Sequence, residues 1–253
     1  MNLNIEETNK LISQLSVNEI KSLFIFKSIM KHSTQRYMDK LKKILSESLS
    51  LYNDSDDCFM ETVISIIDIM DSINSGSQGR PERISRYALL LLDNIRNDIL
   101  ERITVINVNY RKLLKLTAFL YDIGMIYVPK DILLKKELLS ENDWNIIKEH
   151  PSVGASFFDH IEELEEVALG IKFHHERFDG YGYPDRLAND NIPLSSRILA
   201  VCDAFDTLTN DRPYRNKLSK YQAFEEIESC SGTQFDPKIV KALENSLGKI
   251  ELN

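Results

Sequence analysis

Apolar residues recur along this chain at the three-to-four-residue spacing of helices buried on one face. No stretch alternates convincingly in the manner of a strand. Near the start, Leu11, Ile12, Leu15, Ile20, Leu23, Phe24, Phe26, Ile29 and Met30 predict one or two amphipathic helices. Ser16 and Glu19 are spaced as a capping box within them. Residues 36–51 predict another helix, with Tyr37, Leu41, Ile44, Leu45 and Leu49 on one side. The polar run at residues 53–57 ends it, and a further helix is expected over residues 59–73.

The run NSGSQGRP, residues 74–81, is the strongest break in the pattern and marks a boundary. A helical region over residues 1–72 and a second domain over residues 73–253 are therefore expected. The first carries no recognisable chemistry and reads as a sensor, dimerisation or partner-docking region. In the second, the pattern resumes at Glu82 with Ile84, Tyr87, Ala88, Leu91, Leu92 and Ile95. Further helices are predicted over residues 112–122, 133–139, 142–149, 153–158, 162–174, 195–208, 221–229 and 237–247. Ser140 and Asp143 form a capping box before one of them. The fold class is all-α.

Composition narrows this picture. The chain has 253 residues, 43% hydrophobic and 28% charged, an ordinary globular profile. A net charge of −8 argues against a nucleic-acid polymer as partner, since phosphate backbones need a basic face. Cys58, Cys202 and Cys230 form no disulfide framework, so a reducing, cytoplasmic setting is expected. The first residues lack the charged start and apolar run of a secretory leader. No apolar run reaches the ~20 residues a bilayer span needs, so no membrane span is expected.

Candidate chemistry gathers at helix ends and turns. HHERFDGYGYP, residues 174–184, places His174 and His175 side by side before a turn-rich run. An adjacent imidazole pair is costly in a core, where each ring must find a partner, but suits a transition metal. Asp122 follows one predicted helix, His150 sits at a helix junction, and Asp203 lies on a later helix with Asp206 on the same face. Together Asp122, His150, His174, His175 and Asp203 would make a mixed nitrogen and oxygen metal site of the kind helical bundles build. Taken singly, each has a plainer reading. An Asp near a helix end is usually a cap, and Asp206 could pair with a nearby Arg.

HHERFDGYGYP together with DAFDTLTNDRPYR, residues 203–215, resembles the HD-GYP family of HD-type metal-dependent phosphohydrolases. YDIGMIYVP (121–129) is similar to the family's HDxGKxxxP segment. EHPSVGASFF (149–158) resembles its HPxxG segment, and RPERISRYALLL (80–91) its HxxRVxxYAxxLA helix. The resemblance covers about residues 75–245. It implies an HD-type helical bundle that binds two or three metals, often iron or manganese, and hydrolyses cyclic di-GMP to pGpG or GMP.

The same resemblance shows departures. Arg80 stands where the family has its first metal His, and Gly76 falls near a family Glu. Tyr121 replaces the His of the HD pair, and Met125 replaces the Lys. Asp122, His150, His174, His175 and Asp203 match family metal ligands, with Asp122 the catalytic candidate if activity survives. Tyr183, Arg212 and Arg215 match residues that face the nucleotide. Arg80 is expected to pair with Asp203 or with a ligand phosphate. Tyr121 is expected as a packed or hydrogen-bonded tyrosine rather than an iron phenolate. One or two metal ions, iron or manganese ahead of zinc or nickel, or a metal-free pocket, remain open.

Three functions follow as expectations. The first is a degenerate HD-GYP module linked to cyclic di-GMP signalling, with lost or strongly reduced phosphodiesterase activity, that binds a nucleotide or a protein. The second is a variant-metal phosphohydrolase acting on cyclic di-GMP or another phosphoester. The third is a vestigial pocket, with the helices of residues 1–72 acting through a homodimer or a protein partner.

Overall fold

A computed structural model describes residues 79–95, 110–135, 137–158, 162–211 and 216–252, all within one unit, Gly76–Asn253. The expectations for residues 1–72, for Gly76 and for Arg212 and Arg215 lie outside the described residues.

The described residues are helical, and no strand occurs among them. Helix α1 is Arg80–Asn94, α2 Tyr110–Leu120, α3 Lys130–Leu133, α4 Glu141–Ile147 and α5 His150–Ala155. They are followed by α6 Glu165–Lys172, α7 Leu194–Thr209, α8 Lys220–Ser229 and α9 Pro237–Ser246.

α1 begins where left-handed Gly79 is followed by Arg80 and Pro81. Proline suits a helix's first turn, where its missing N–H is not needed. α1 packs on α2, α7 and α9. Its buried face, Ile84, Tyr87, Ala88 and Leu91, meets Ile198, Leu199, Cys202 and Phe205 of α7. Tyr87 and Phe205 meet edge to face with ring centroids 5.4 Å apart. Ile239, Val240 and Leu243 of α9 and Ile227 of α8 close the same core. Burying each such side chain contributes about 1.5–3 kcal/mol, so this core anchors the site helices.

Beneath α1 and α7 the ion pairs are equally specific. Asp206, 1% exposed, accepts from Arg83 Nε at 2.6 Å and Arg83 Nη2 at 3.1 Å. The pairing of Asp206 with an Arg is thus the arrangement found.

One expected helix is absent. Residues 133–139 do not form it: α3 stops at Leu133. Lys135 instead reaches forward to the Asp143 carboxylate at 2.5 Å. That contact turns the chain back onto the first turn of α4, where a cation-carboxylate pair and the Ser140–Asp143 capping box hold it. The helix expected over residues 153–158 begins earlier, at His150, and ends at Ala155.

Candidate metal and nucleotide site

Backbone packing brings the candidate residues together. Asp122 lies just beyond α2 and precedes the 3-10 turn Ile123–Tyr127. That turn packs on α5. A Cβ on Gly124 would stand 1.9 Å from the His150 carbonyl oxygen, so only glycine permits this approach. His150 opens α5, and His174 and His175 follow α6.

Each of the two buried imidazoles is oriented by the helix before it. His150 Nδ1 lies 2.7 Å from the Ile147 carbonyl oxygen, and His174 Nδ1 lies 2.6 Å from that of Ile171. A carbonyl can only accept, so the hydrogen sits on Nδ1 and each Nε2 presents a lone pair. The two Nε2 atoms stand 3.3 Å apart. Asp122 Oδ1 is 3.3 Å from the first and 3.8 Å from the second. Three acceptors therefore converge with no proton to share. Such an arrangement is repulsive by itself and fits a cation.

His175 completes the cluster. One ligand atom from each of His150, His174 and His175 lies within 4.8 Å of the others. Burial holds the His174 imidazolium well below the ordinary range, and His175 and His150 add to the effect. Burial likewise lowers His175 to about 4, so both rings stay neutral and ligand-competent near neutral pH. Burial would raise the Asp122 carboxyl, but its contact with His150 and the nearby Arg80 charge prevail and hold it below the usual carboxylate range, so it stays ionised. The residues fit one divalent ion.

Asp203 is differently placed. Like Asp122, it lies outside the three-histidine group, but among the described residues no ion pair brings it to those rings, as two bring Asp122. Its Oδ1 accepts from Arg80 Nη2 at 2.5 Å and from the Tyr121 hydroxyl at 2.8 Å. Arg80 Nε donates to the same Tyr121 oxygen at 2.7 Å, and Nη2 also reaches Thr207 Oγ1 at 3.1 Å. Burial opposes the Arg80 charge, but Tyr121, Asp203 and Asp122 more than compensate and hold its pKa above the ordinary value. A guanidinium cannot ligate a metal, and its fixed charge repels one. The residues do not fit a second ion at Asp203. Tyr121 is fully buried, and burial pushes its phenol well above the ordinary range, so it stays a protonated donor. Met125 lies in the 3-10 turn and supplies no charge.

The loop after His175 wraps the cluster. A Cβ on Gly182 would meet Arg177 N at 2.4 Å and Glu176 Cα at 2.5 Å, so the loop folds tightly on itself. Tyr183 is thereby laid against His175, ring centroids 4.9 Å apart and 26° from parallel, and its N–H donates to the His175 carbonyl at 3.3 Å. Burial raises the Tyr183 phenol, helped by Asp122 and Asp203. Asp179 pins the loop by two bonds from Arg177, at 3.0 and 2.7 Å, and by one from the Tyr181 N–H at 3.1 Å. Arg177 also keeps the Asp179 carboxyl below the usual range.

A cleft of about 400 Å³ opens beside His174, His175 and Asp203. Its far wall carries Leu208, Glu226, Cys230 and Gln234. The last three are not legible in the sequence, because α8 and the turn after it carry no motif. Only the packing of α8 on α7 brings them near.

Three histidines and an aspartate brought together at helix ends define the class: an all-α domain with a candidate metal centre. A family model described as "HD domain" matches residues 66–239. The cyclic di-GMP phosphodiesterase response regulator RpfG of Xanthomonas campestris is 30% identical over 205 residues, 80% of this chain and 52% of that protein. A cyclic di-GMP phosphodiesterase of Thermotoga maritima is 40% identical over 134 residues, 51% of this chain and 36% of that protein. The chain thus spans between about a third and about half the length of these relatives. An HDG"Y"P protein from Bdellovibrio bacteriovorus has the same fold, with a TM-score of 0.51 at 18% identity, over 83% of this chain and 62% of the other. The chain belongs to the HD domain family, in its HD-GYP branch.

Among the described residues, no helix is long and apolar enough to cross a membrane.

Proposed function

We propose that this chain is a degenerate HD-GYP module of cyclic di-GMP signalling, working in the cytoplasm, that binds a nucleotide and has lost or strongly reduced phosphodiesterase activity. One observation carries this reading. The Arg80 guanidinium is bonded to Asp203 and Tyr121 at 2.5 and 2.7 Å, where a second metal would need open donors. Hydrolysis by a dinuclear centre needs two ions about 3.5–4 Å apart, one on each side of the attacking and leaving oxygens. A fixed cation on one side removes half of that arrangement.

Asp122, His150, His174 and His175 would hold a single ion, iron or manganese ahead of zinc or nickel. Such an ion supplies Lewis-acid polarisation of a bound phosphate. The chain's own residues then do the positioning. The carbonyls of Ile147 and Ile171 fix the two imidazoles, and Tyr183 walls the site on the nucleotide side. Arg212 and Arg215 would meet phosphate or base. Residues 1–72 would supply sensing, dimerisation or partner docking.

The test pairs three measurements on full-length protein purified without chelator: elemental analysis, turnover of cyclic di-GMP with added manganese or iron, and calorimetric binding of cyclic di-GMP. About one ion per chain, negligible turnover and measurable binding are expected. Turnover that disappears in His174→Ala would overturn the reading. It would support the alternative, a variant-metal phosphohydrolase, which rests on the preserved donor set. Absence of both binding and turnover would move the function to residues 1–72.

A further inference from the structure

Helix α4 and its C-terminal capping residue carry two exposed residues one turn apart, Trp144 and Lys148. Trp144 is 48% exposed, and the Lys148 N–H donates to its carbonyl at 2.9 Å. Residues four apart on a helix share a face, so the two side chains leave the helix on the same side. Lys148 Nζ lies 5.7 Å from the centre of the Tyr183 ring. Tyr183 in turn stacks on His175. The ammonium is thus separated from the histidine cluster by one aromatic ring.

Lys148 makes no ion pair among the described residues, so its ammonium is open to a ligand. The backbone of α4 is held at both ends. Lys135 and the Ser140–Asp143 box hold its start. Its last carbonyl, that of Ile147, orients His150. The helix backbone is thereby tied to the histidine cluster.

We propose that Trp144 and Lys148 form an outer nucleotide platform, with Lys148 taking a phosphate at the mouth of the site and Trp144 stacking on a base beyond it. The proposal rests on the nucleotide-binding reading above and extends it to a surface outside the metal cluster. Two features suit a nucleotide. Arg80 is committed to Asp203, so a phosphate at the mouth needs another cation. An exposed indole offers a flat face to any base.

Trp144 is the chain's one tryptophan, so intrinsic fluorescence reports on this platform without a label. Full-length protein would be titrated with cyclic di-GMP, with GMP and with inorganic phosphate, free tryptophan amide correcting for absorbance. Saturable quenching by cyclic di-GMP is expected. Lys148→Met is expected to weaken it by about tenfold, the equivalent of one phosphate contact. Lys148→Arg should keep it. Trp144→Ala should weaken calorimetric binding, and Trp144→Phe should recover most of it. Both positions of change are exposed, where substitutions rarely disturb folding.

Calorimetric binding of cyclic di-GMP with unchanged emission, or with equal affinity in Lys148→Met, overturns the platform and leaves the nucleotide-binding reading standing. Lys148-dependent quenching by GMP without binding of cyclic di-GMP keeps the platform and removes the dinucleotide reading. No response to any of the three ligands removes both.

Discussion

Arg80 and Asp203, 123 positions apart in the chain, meet at 2.5 Å, and Tyr121 bonds to both. The triad turns what could be two open donors into a closed, neutral unit. Its members come from α1, the end of α2 and α7, so it also ties three core helices together.

Removing one partner should leave a half-buried charge alone. Arg80→Ala is expected to destabilise the chain by about 2–3 kcal/mol, somewhat less than a fully buried pair would cost. Urea unfolding checks this. A change within about 0.5 kcal/mol would mean that the pair is a surface contact only. The double change Arg80→His and Tyr121→His supplies two donors where a cation now stands. Metal content by elemental analysis is expected to rise from one ion per chain towards two.

Asp206 supports the fold without touching the cluster. It is 1% exposed and held bidentately by Arg83. Asp206→Ala should cost roughly 3 kcal/mol, because it removes the bidentate acceptor of the Arg83 guanidinium from the interior. Metal content of the folded fraction should be unchanged. Loss of metal in parallel with stability would show that Asp206 acts on the site as well.

Acid should weaken the metal-free chain in a defined window. The unfolded chain's histidines take up protons below about pH 6.5. The folded chain's His175 does so only at about 4. Between those values the unfolded state binds more protons, so stability rises with pH there. It is full above the unfolded value and falls as pH drops from there towards 4. Urea midpoints of chelator-treated protein between about pH 7 and about pH 4 measure this. A flat profile would mean that the imidazoles are already charged in the folded chain.

Gly124 should tolerate no side chain. Gly124→Ala places a methyl group 1.9 Å from the His150 carbonyl oxygen, a backbone atom that cannot swing aside. A loss of about 3 kcal/mol or more is expected. Any folded fraction should bind metal less tightly, since His150 would shift with its backbone. Wild-type stability in this variant would place the turn farther from α5.

The long amphipathic helices were legible from spacing alone. α7 carries Ile198, Leu199, Cys202 and Phe205 in period, and the Ser140–Asp143 box announced the start of α4. The short pieces were not. α3 ends early because Lys135 finds Asp143, a side-chain contact that periodicity does not encode. Asp122, His150, His174 and His175 are legible as neighbours through the motifs, whereas Asp203, expected with them as a ligand, pairs with Arg80, one of the two outcomes expected for that arginine. The orientation of His150 and His174 was not, because it depends on carbonyls three residues earlier in each case. Nor were Glu226, Cys230 and Gln234, which reach the cleft only by helix packing.

The tight contact of Gly124 with α5 also bears on how such a domain changes over generations. The glycine supplies packing, while Tyr121 and Met125, three positions before it and one after, occupy the places where the family carries chemistry. Because shape and reactivity are held by different residues of one short turn, a lineage can give up the reactive ones and inherit the architecture intact.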